Sequence, residues 1–223
     1  MKTILLFLAG LLLSFPAAAQ ETENIQGEFL QDMSAWGDVR GFIWGVTPED
    51  VKHFERVVLF DEIENTLFFI DEINGIKTLI SYEFIDGKLW RVVMDMQKDD
   101  YPDPQEIVKD FVRFQVGLNK RYGEMTSTKL DWSNDYYKDK PDYWGLAVYN
   151  GHLKMRMDWQ SGKTDVSMTL GAEDYDYDFK MTFTSRAIEK AVAEAKKEAN
   201  RASSLLAPDL PPSSAPPLEE SAP

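Results

Sequence analysis

Three aspartates at every second position, Asp174, Asp176 and Asp178, come nearest in this chain to the rhythm of a cation site, because oxygen ligands recur at that spacing in calcium loops. The rest of such a loop is missing. A helix-loop-helix calcium site needs glycine at position 179 and a bidentate glutamate at 185, and the chain has Phe179 and Ser185 there. On a strand the three carboxylates line one pleat face, a solvated row that does not close around an ion. Gly162-Lys163-Thr164 matches the end of a phosphate-binding loop, yet the first glycine of that motif falls on Met157. Its place between two alternating runs makes it a hairpin turn. The two histidines, His53 and His152, are far apart and form no HExxH pattern, and a catalytic zinc would need acids for most of its ligands. No serine sits in a Gly-x-Ser-x-Gly setting, and there is no cysteine. The sequence therefore assigns no catalytic residue, no metal ligand and no cofactor.

What remains is binding chemistry. Trp36 and Trp44 are each followed by glycine outside a regular element, which makes them candidates for exposed aromatic contacts. Lys154, Arg156, Asp158 and Asp165 fall on the polar side of alternating runs and form a second candidate surface. Two other readings use the same composition. With 38 acidic residues plus tryptophans and tyrosines, a carboxylate pair could hydrolyse an envelope glycan, which requires a particular separation of two carboxyl groups. A calcium-dependent binding module is the other alternative.

These residues must be positioned by elements whose signals are clear. Thr47, Pro48 and Asp50 predict a helix N-cap, first position and third position, with a short helix to about Arg56 and a staple between Val46 and Val51. The runs 57 to 60, 66 to 72, 76 to 85 and 88 to 97 are rich in Ile, Leu, Val, Phe and Tyr. Asn74-Gly75 and Asp86-Gly87 join them as tight hairpins, which predicts a meander. Asp103, Pro104 and Glu106 predict a proline-bearing capping box, and Ile107, Phe111, Phe114, Leu118 and Tyr122 form one apolar stripe ending at Gly123. A strand near 127 to 133 follows. Residues 141 to 151 fit either a short helix opened by Pro141 or a hairpin turned by Asn150-Gly151.

Leu153, Met155, Met157 and Trp159 alternate with polar neighbours, Thr164 to Leu170 follows, and Tyr175 to Phe183 alternates against Asp174 to Thr182. An Ala, Lys and Glu-rich helix is expected over 185 to 205. The expected fold class is α+β, an antiparallel meander sheet covered by helices in one body over 40 to 205. The order of elements suggests two similar helix-plus-meander halves, 40 to 100 and 101 to 185.

The two ends carry address information. Lys2, an apolar run from Ile4 to Leu13 and Ala17-Ala18-Ala19 describe a secretory signal peptide, followed by a polar lead-in over 20 to 39. Six of the eleven prolines lie at 208 to 223, so residues 206 to 223 are expected to be a disordered tail. Loss of Lys2 with the leader takes the formal charge from −14 to −15, a surface that repels nucleic acid and anionic lipid. An exported chain without cysteine has no disulfide framework and no thiol for a lipid anchor. The expected location is periplasmic or extracellular, without a membrane span.

Gly41, Trp44, Gly45, Thr47 and Val51 resemble the opening of uncharacterised exported bacterial proteins that begin Gly-x-x-Trp-Gly-x-Ser/Thr-x-x-x-Val. Tyr122-Gly123, the stretch Trp144-Gly145-Leu146-Ala147, and Gly151, Leu153 and Trp159 are similar to the same group, so the likeness spans most of 40 to 185. It implies no activity and no site residues. More distantly, the helix-then-meander pattern is similar to the small lipoprotein of the outer-membrane assembly machine and to beta-lactamase inhibitor proteins, although the lipid-bearing cysteine of the former is lacking here. Taken together, the sequence leads to a non-catalytic interaction protein of the bacterial envelope with an envelope protein or peptide as partner, and it leaves the oligomeric state open.

Overall fold

Two four-stranded meanders, each preceded by a helix, meet at their last strands. The computed structural model describes residues 37–97 and 101–206, so the leader, Trp36 and the tail beyond Leu206 lie outside the described residues. Helix α1 (Pro48–Phe54) leads into β1 (Leu59–Ile63), β2 (Thr66–Ile73), β3 (Ile76–Ile85) and β4 (Lys88–Met96). Helix α2 (Gln105–Tyr122) leads into β5 (Ser127–Trp132), then a short α3 (Trp144–Tyr149), β6 (Leu153–Ser161), β7 (Thr164–Glu173) and β8 (Asp176–Ser185). The eight strands form one antiparallel sheet in the order β1-β2-β3-β4-β8-β7-β6-β5. Read outward from the β4–β8 seam, the order is the same in both directions. The expected halves are thus two wings of one sheet over one core, not two domains.

Local chemistry accounts for most of these elements. Thr47 Oγ1 accepts from the Asp50 N–H at 3.2 Å and the Asp50 carboxylate accepts from the Thr47 N–H at 3.0 Å, so both halves of the first capping box are formed. The second box is not formed as expected. Asp103 Oδ1 accepts from the Gln105 N–H at 2.9 Å, while Glu106 pairs with Lys109 Nζ at 2.6 Å instead of returning to the cap. Asn74-Gly75 and Asp86-Gly87 turn their hairpins with both residues at positive φ, as two-residue loops that match strand twist require. At the β7–β8 turn the same conformation falls on Asp174 (φ 51) and Tyr175 (φ 67). Asp174 thus lies in the turn and not on the strand where it was expected, because an aspartate tolerates the left-handed region that a two-residue loop demands. The open question at 141 to 151 resolves as helix. Pro141–Tyr143 forms a 3-10 turn that runs into α3, and Asn150 N–H then donates to Leu146 O.

One face of the sheet is covered. On it Leu67, Phe69, Ile80, Tyr82, Val92 and Met94 continue across the seam into Met181, Phe183, Val166, Met168, Met157 and Trp159. Phe111 and Phe114 of α2 meet Phe179 at ring separations of 5.6 and 5.5 Å, and Tyr122 meets Phe183 at 5.8 Å. Trp159 is fully buried and its indole N–H donates to Asn119 Oδ1 of α2 at 2.8 Å, which fixes the helix above β6. The described residues divide into two compact units, one ending at Arg186 and the other beginning at Ala187. The described part of the second is the continuation of helix α4 (Arg186–Leu206). Among the described residues no helix is long and apolar enough to cross a membrane.

Helix α3 packs on the start of α2 through a glycine. A Cβ on Gly145 would lie 2.1 Å from the Pro104 carbonyl oxygen, and the Gly145 N–H donates to Gln105 Oε1 at 2.9 Å. Backbone cannot yield as a side-chain tip can, so Gly145→Ala should destabilise the fold by about 1–3 kcal/mol. Thermal unfolding followed by circular dichroism should show a lowered midpoint for this variant, whereas Gly87→Ser, in an open hairpin turn, should lose less.

Candidate functional site

Within the unit that ends at Arg186, the face of the sheet opposite α2 and α3 has no helix layer, and register fixes what stands on it. One row runs Phe68, Ser81, Val93, Thr182, Ser167, Asp158 and Ser127. The next runs Ile70, Leu79, Asp95, Lys180, Thr169, Arg156 and Lys129. All are half-buried or exposed. These rows are bipartite: four of the six side chains from β2 to β4 are apolar, Phe68, Ile70, Leu79 and Val93, whereas β8 to β5 present hydroxyls and charges. Sheets wet on one side ordinarily alternate apolar-in with polar-out, and only the second wing obeys.

A bulge sharpens the apolar wing. Between the pairs Glu83↔Arg91 and Phe84↔Leu89, strand β4 carries one extra residue, Trp90. The half-buried Trp90 ring lies beneath the Arg91 guanidinium, 3.9 Å from the centroid, and Arg91 also pairs with Glu83 at 3.4 Å.

The polar wing holds the four candidates named from sequence. Arg156 grips Asp158 through Nε and Nη2, both at 2.9 Å, and Ser127 Oγ donates to the same carboxylate at 2.7 Å. Burial works to raise the Asp158 pKa, but the hydrogen bonds from Arg156 and Ser127 outweigh it and hold the carboxyl below its ordinary value. Asp165 is paired with Arg186 at 2.7 Å, and the Lys154 stem lies over Gly171 with its Cγ 3.4 Å from where a Cβ would be. The structure thus brings Arg156 and Asp158 into direct contact, with Lys154 and Asp165 on the same face. Trp44 belongs elsewhere. Its indole N–H donates to Thr164 Oγ1 at 2.9 Å, its backbone N–H donates to Asp38 Oδ2 at 2.9 Å, and it packs half-buried against the core. It is an anchor of the lead-in and not a projecting platform. Trp36 lies outside the described residues.

The strongest buried electrostatics lie inside the first half. Val39 and Phe42 bond reciprocally, at 3.1 and 2.8 Å, across a tight turn of Arg40 (φ 46) and Gly41 (φ 86). That left-handed turn aims Arg40 inward. Its Nη2 reaches Glu55 Oε1 at 3.1 Å and Asp71 Oδ2 at 2.7 Å, and its Nε donates to the Tyr82 hydroxyl at 3.1 Å, while Tyr82 donates to Glu55 Oε2. The Arg40 and Glu55 side chains are only 5% and 3% exposed. Burial acts to lower the Arg40 pKa, but the Tyr82 oxygen and the Glu55 carboxylate dominate and raise it further, so the guanidinium stays charged. Burial likewise pushes the Tyr82 phenol well up, reinforced by Glu55. These carboxylates are committed to an arginine, as Asp110 of α2 is to Arg113 at 2.7 Å and to the Tyr101 hydroxyl at 3.0 Å.

His53 sits edge-on to Phe54 on α1, and His152 stacks on Tyr137. Among the described residues no group of three or more His, Asp or Glu side chains is placed to hold a metal ion. Neither a family model, a curated protein nor a solved structure matches the chain.

Sequence reasoning did not single out Phe68, Ile70, Leu79, Val93 or Trp90 as surface contacts. One signal was available. Leu67-Phe68-Phe69-Ile70 is an unbroken apolar run in a strand of an antiparallel meander, which means that both faces of β2 are apolar. Two expectations follow from the electrostatics. Arg40→Met leaves the buried Glu55 and the partly buried Asp71 without their counter-ion and should cost about 3–5 kcal/mol. Adding Glu55→Gln and Asp71→Asn should restore part of that loss in denaturant titrations, a non-additivity that independent sites would not show.

The second concerns Asp95 on the uncovered face. Burial, with added repulsion from Asp178 and Asp176, raises its pKa above the usual 3.8 despite Lys180. A folded-state pKa above the unfolded one means that the folded form binds protons more tightly, so stability is lost as pH rises through this window. Asp95→Asn should therefore raise the melting temperature at neutral pH, and the gain should vanish below pH ~3.8, where the native carboxyl is protonated in both states.

Proposed function

We propose that this protein is an exported, non-catalytic binding protein of the bacterial cell envelope, periplasmic or extracellular, whose uncovered sheet face receives a protein or peptide partner. The observation that carries this reading is the apolar wing. Phe68, Ile70, Leu79 and Val93 stand half-buried on the face opposite α2 and α3, with Trp90 and its stacked Arg91 at one end. Apolar surface without cover, rimmed by charge, is the signature of an interaction site. Tryptophan and arginine are the residue types on which binding energy most often concentrates. The adjoining hydroxyl and charged wing supplies a polar rim that fixes orientation.

A glycan hydrolase is less well supported. It needs two available carboxyl groups across a cleft, and the buried acids Glu55, Asp71 and Asp110 are already held by arginines. The negative surface favours a basic or neutral partner over an acidic one.

A photo-crosslinking side chain at Leu79, in the centre of the apolar wing, should yield a discrete adduct in native envelope. The same group at Lys109, on the outer side of α2, should not. Leu79→Asp should abolish capture by a crosslinker at the neighbouring Ser81 while leaving the far-ultraviolet spectrum unchanged. Equal adducts from Leu79 and Lys109 would overturn the assignment of the face.

A further inference from the structure

The two edges of the sheet differ in kind. At β5 the exposed residues are Ser127, Lys129 and Asp131, and Lys129 pairs with Asp131 at 2.7 Å, the charged finish that keeps an edge from recruiting other strands. At β1 every residue is exposed. Phe60 and Ile63 are 64% and 55% accessible, and the preceding Val58 is 88% accessible. Such exposure leaves apolar side chains without cover on a strand whose outer backbone faces water.

Which backbone groups are available follows from register. The two-residue Glu64-Asn65 connection makes Ile63 and Thr66 the closing hydrogen-bonded pair, so alternation along the ladder turns the N–H and C=O of Glu62 away from β2. The Glu62 N–H is indeed found donating to the neighbouring Asp61 Oδ1 at 2.8 Å, a local substitute for a strand partner. The charges decide what can replace it. Asp61, Glu62 and Glu64 are exposed around this point, and Lys52 Nζ is the cation found against them, 2.7 Å from Glu62. A second copy paired about Glu62 would set the two Glu62 side chains opposite one another, which destabilises a sheet.

We propose that the β1 edge accepts an extended, cationic segment of another protein as a ninth strand, with its lysine or arginine side chains on the face that carries Glu62 and its apolar side chains on the opposite face beside Ile63. Backbone pairing gives such a complex its affinity and the acidic trio gives it charge selectivity. This rests on the reading of the chain as a binding protein but uses the edge and not the face, so either can fail alone.

The test uses a short synthetic peptide alternating valine with lysine, a valine–glutamate peptide of equal length, and a valine–lysine peptide N-methylated at alternate residues. Fluorescence anisotropy with the full chain should show the lysine peptide binding at least ~10-fold tighter than the glutamate one at low salt, with the gap narrowing as salt screens the charges. The Glu62 amide should gain hydrogen-exchange protection, and the N-methylated peptide, which has lost backbone donors, should not bind. Glu62→Pro removes the outward donor without touching a ladder bond and should abolish binding, while Glu62→Gln should keep it with weaker salt dependence. Equal binding by the N-methylated peptide, or binding without protection at Glu62, would mean charge adhesion alone and overturn the proposal. So would a dimer in sedimentation velocity with Glu62 protected in the absence of peptide, because the occupant would then be a second copy. None of these outcomes alters the result expected at Leu79.

Discussion

The antiparallel seam between β4 and β8 is the interaction on which the rest depends. Each wing is built from local hairpins, and neither would close its own sheet. Five register pairs from Arg91↔Thr184 to Asp95↔Lys180 join them, with Met94 against Met181 near the centre. The seam removes the two strand edges that would be richest in apolar side chains, and it aligns the covered faces of both wings beneath α2. Residues far apart in sequence then share one core, from Leu67 in the first wing to Trp159 in the second. It also aligns the opposite faces, which is why an apolar wing and a polar wing end up side by side on a single surface.

Much of this was legible from residue order. The Thr47 cap, the Asn74-Gly75 and Asp86-Gly87 turns, the stripe of α2 and the alternation of β6 and β8 each depend on neighbours within a few positions, and such signals survive in a bare sequence. The helix at Trp144 did not resolve because its defining contact is long-range: Gly145 is there to let α3 approach the carbonyl of Pro104. The capping box at Asp103 was misread for a similar reason, since Glu106 had a competing partner in Lys109 one turn along. The seam itself was not visible, because no local pattern says which strand β4 will pair with.

The candidate site divides along the same line. Lys154, Arg156, Asp158 and Asp165 were recognisable as one polar face because alternation marks them. The apolar wing was not, because a large apolar residue on a strand reads as core until topology places it on the face away from α2 and α3. Arg40 illustrates the opposite case. An arginine next to a glycine near the start of the described residues reads as surface, yet the left-handed turn sends it inward to satisfy Glu55, Asp71 and Tyr82, and so ties this turn to α1, β2 and β3.

The bipartite face carries a thermodynamic consequence. Covering the apolar wing removes Phe68, Ile70, Leu79 and Val93 from water, so complex formation there carries a negative heat-capacity change. The polar wing, where Arg156, Asp158 and Lys180 stand, would act on the proposed partner at longer range and govern an encounter rate that falls as salt rises. Under the proposed function the two wings would separate residence from arrival: one would set how long a partner stays, the other how often it lands in register.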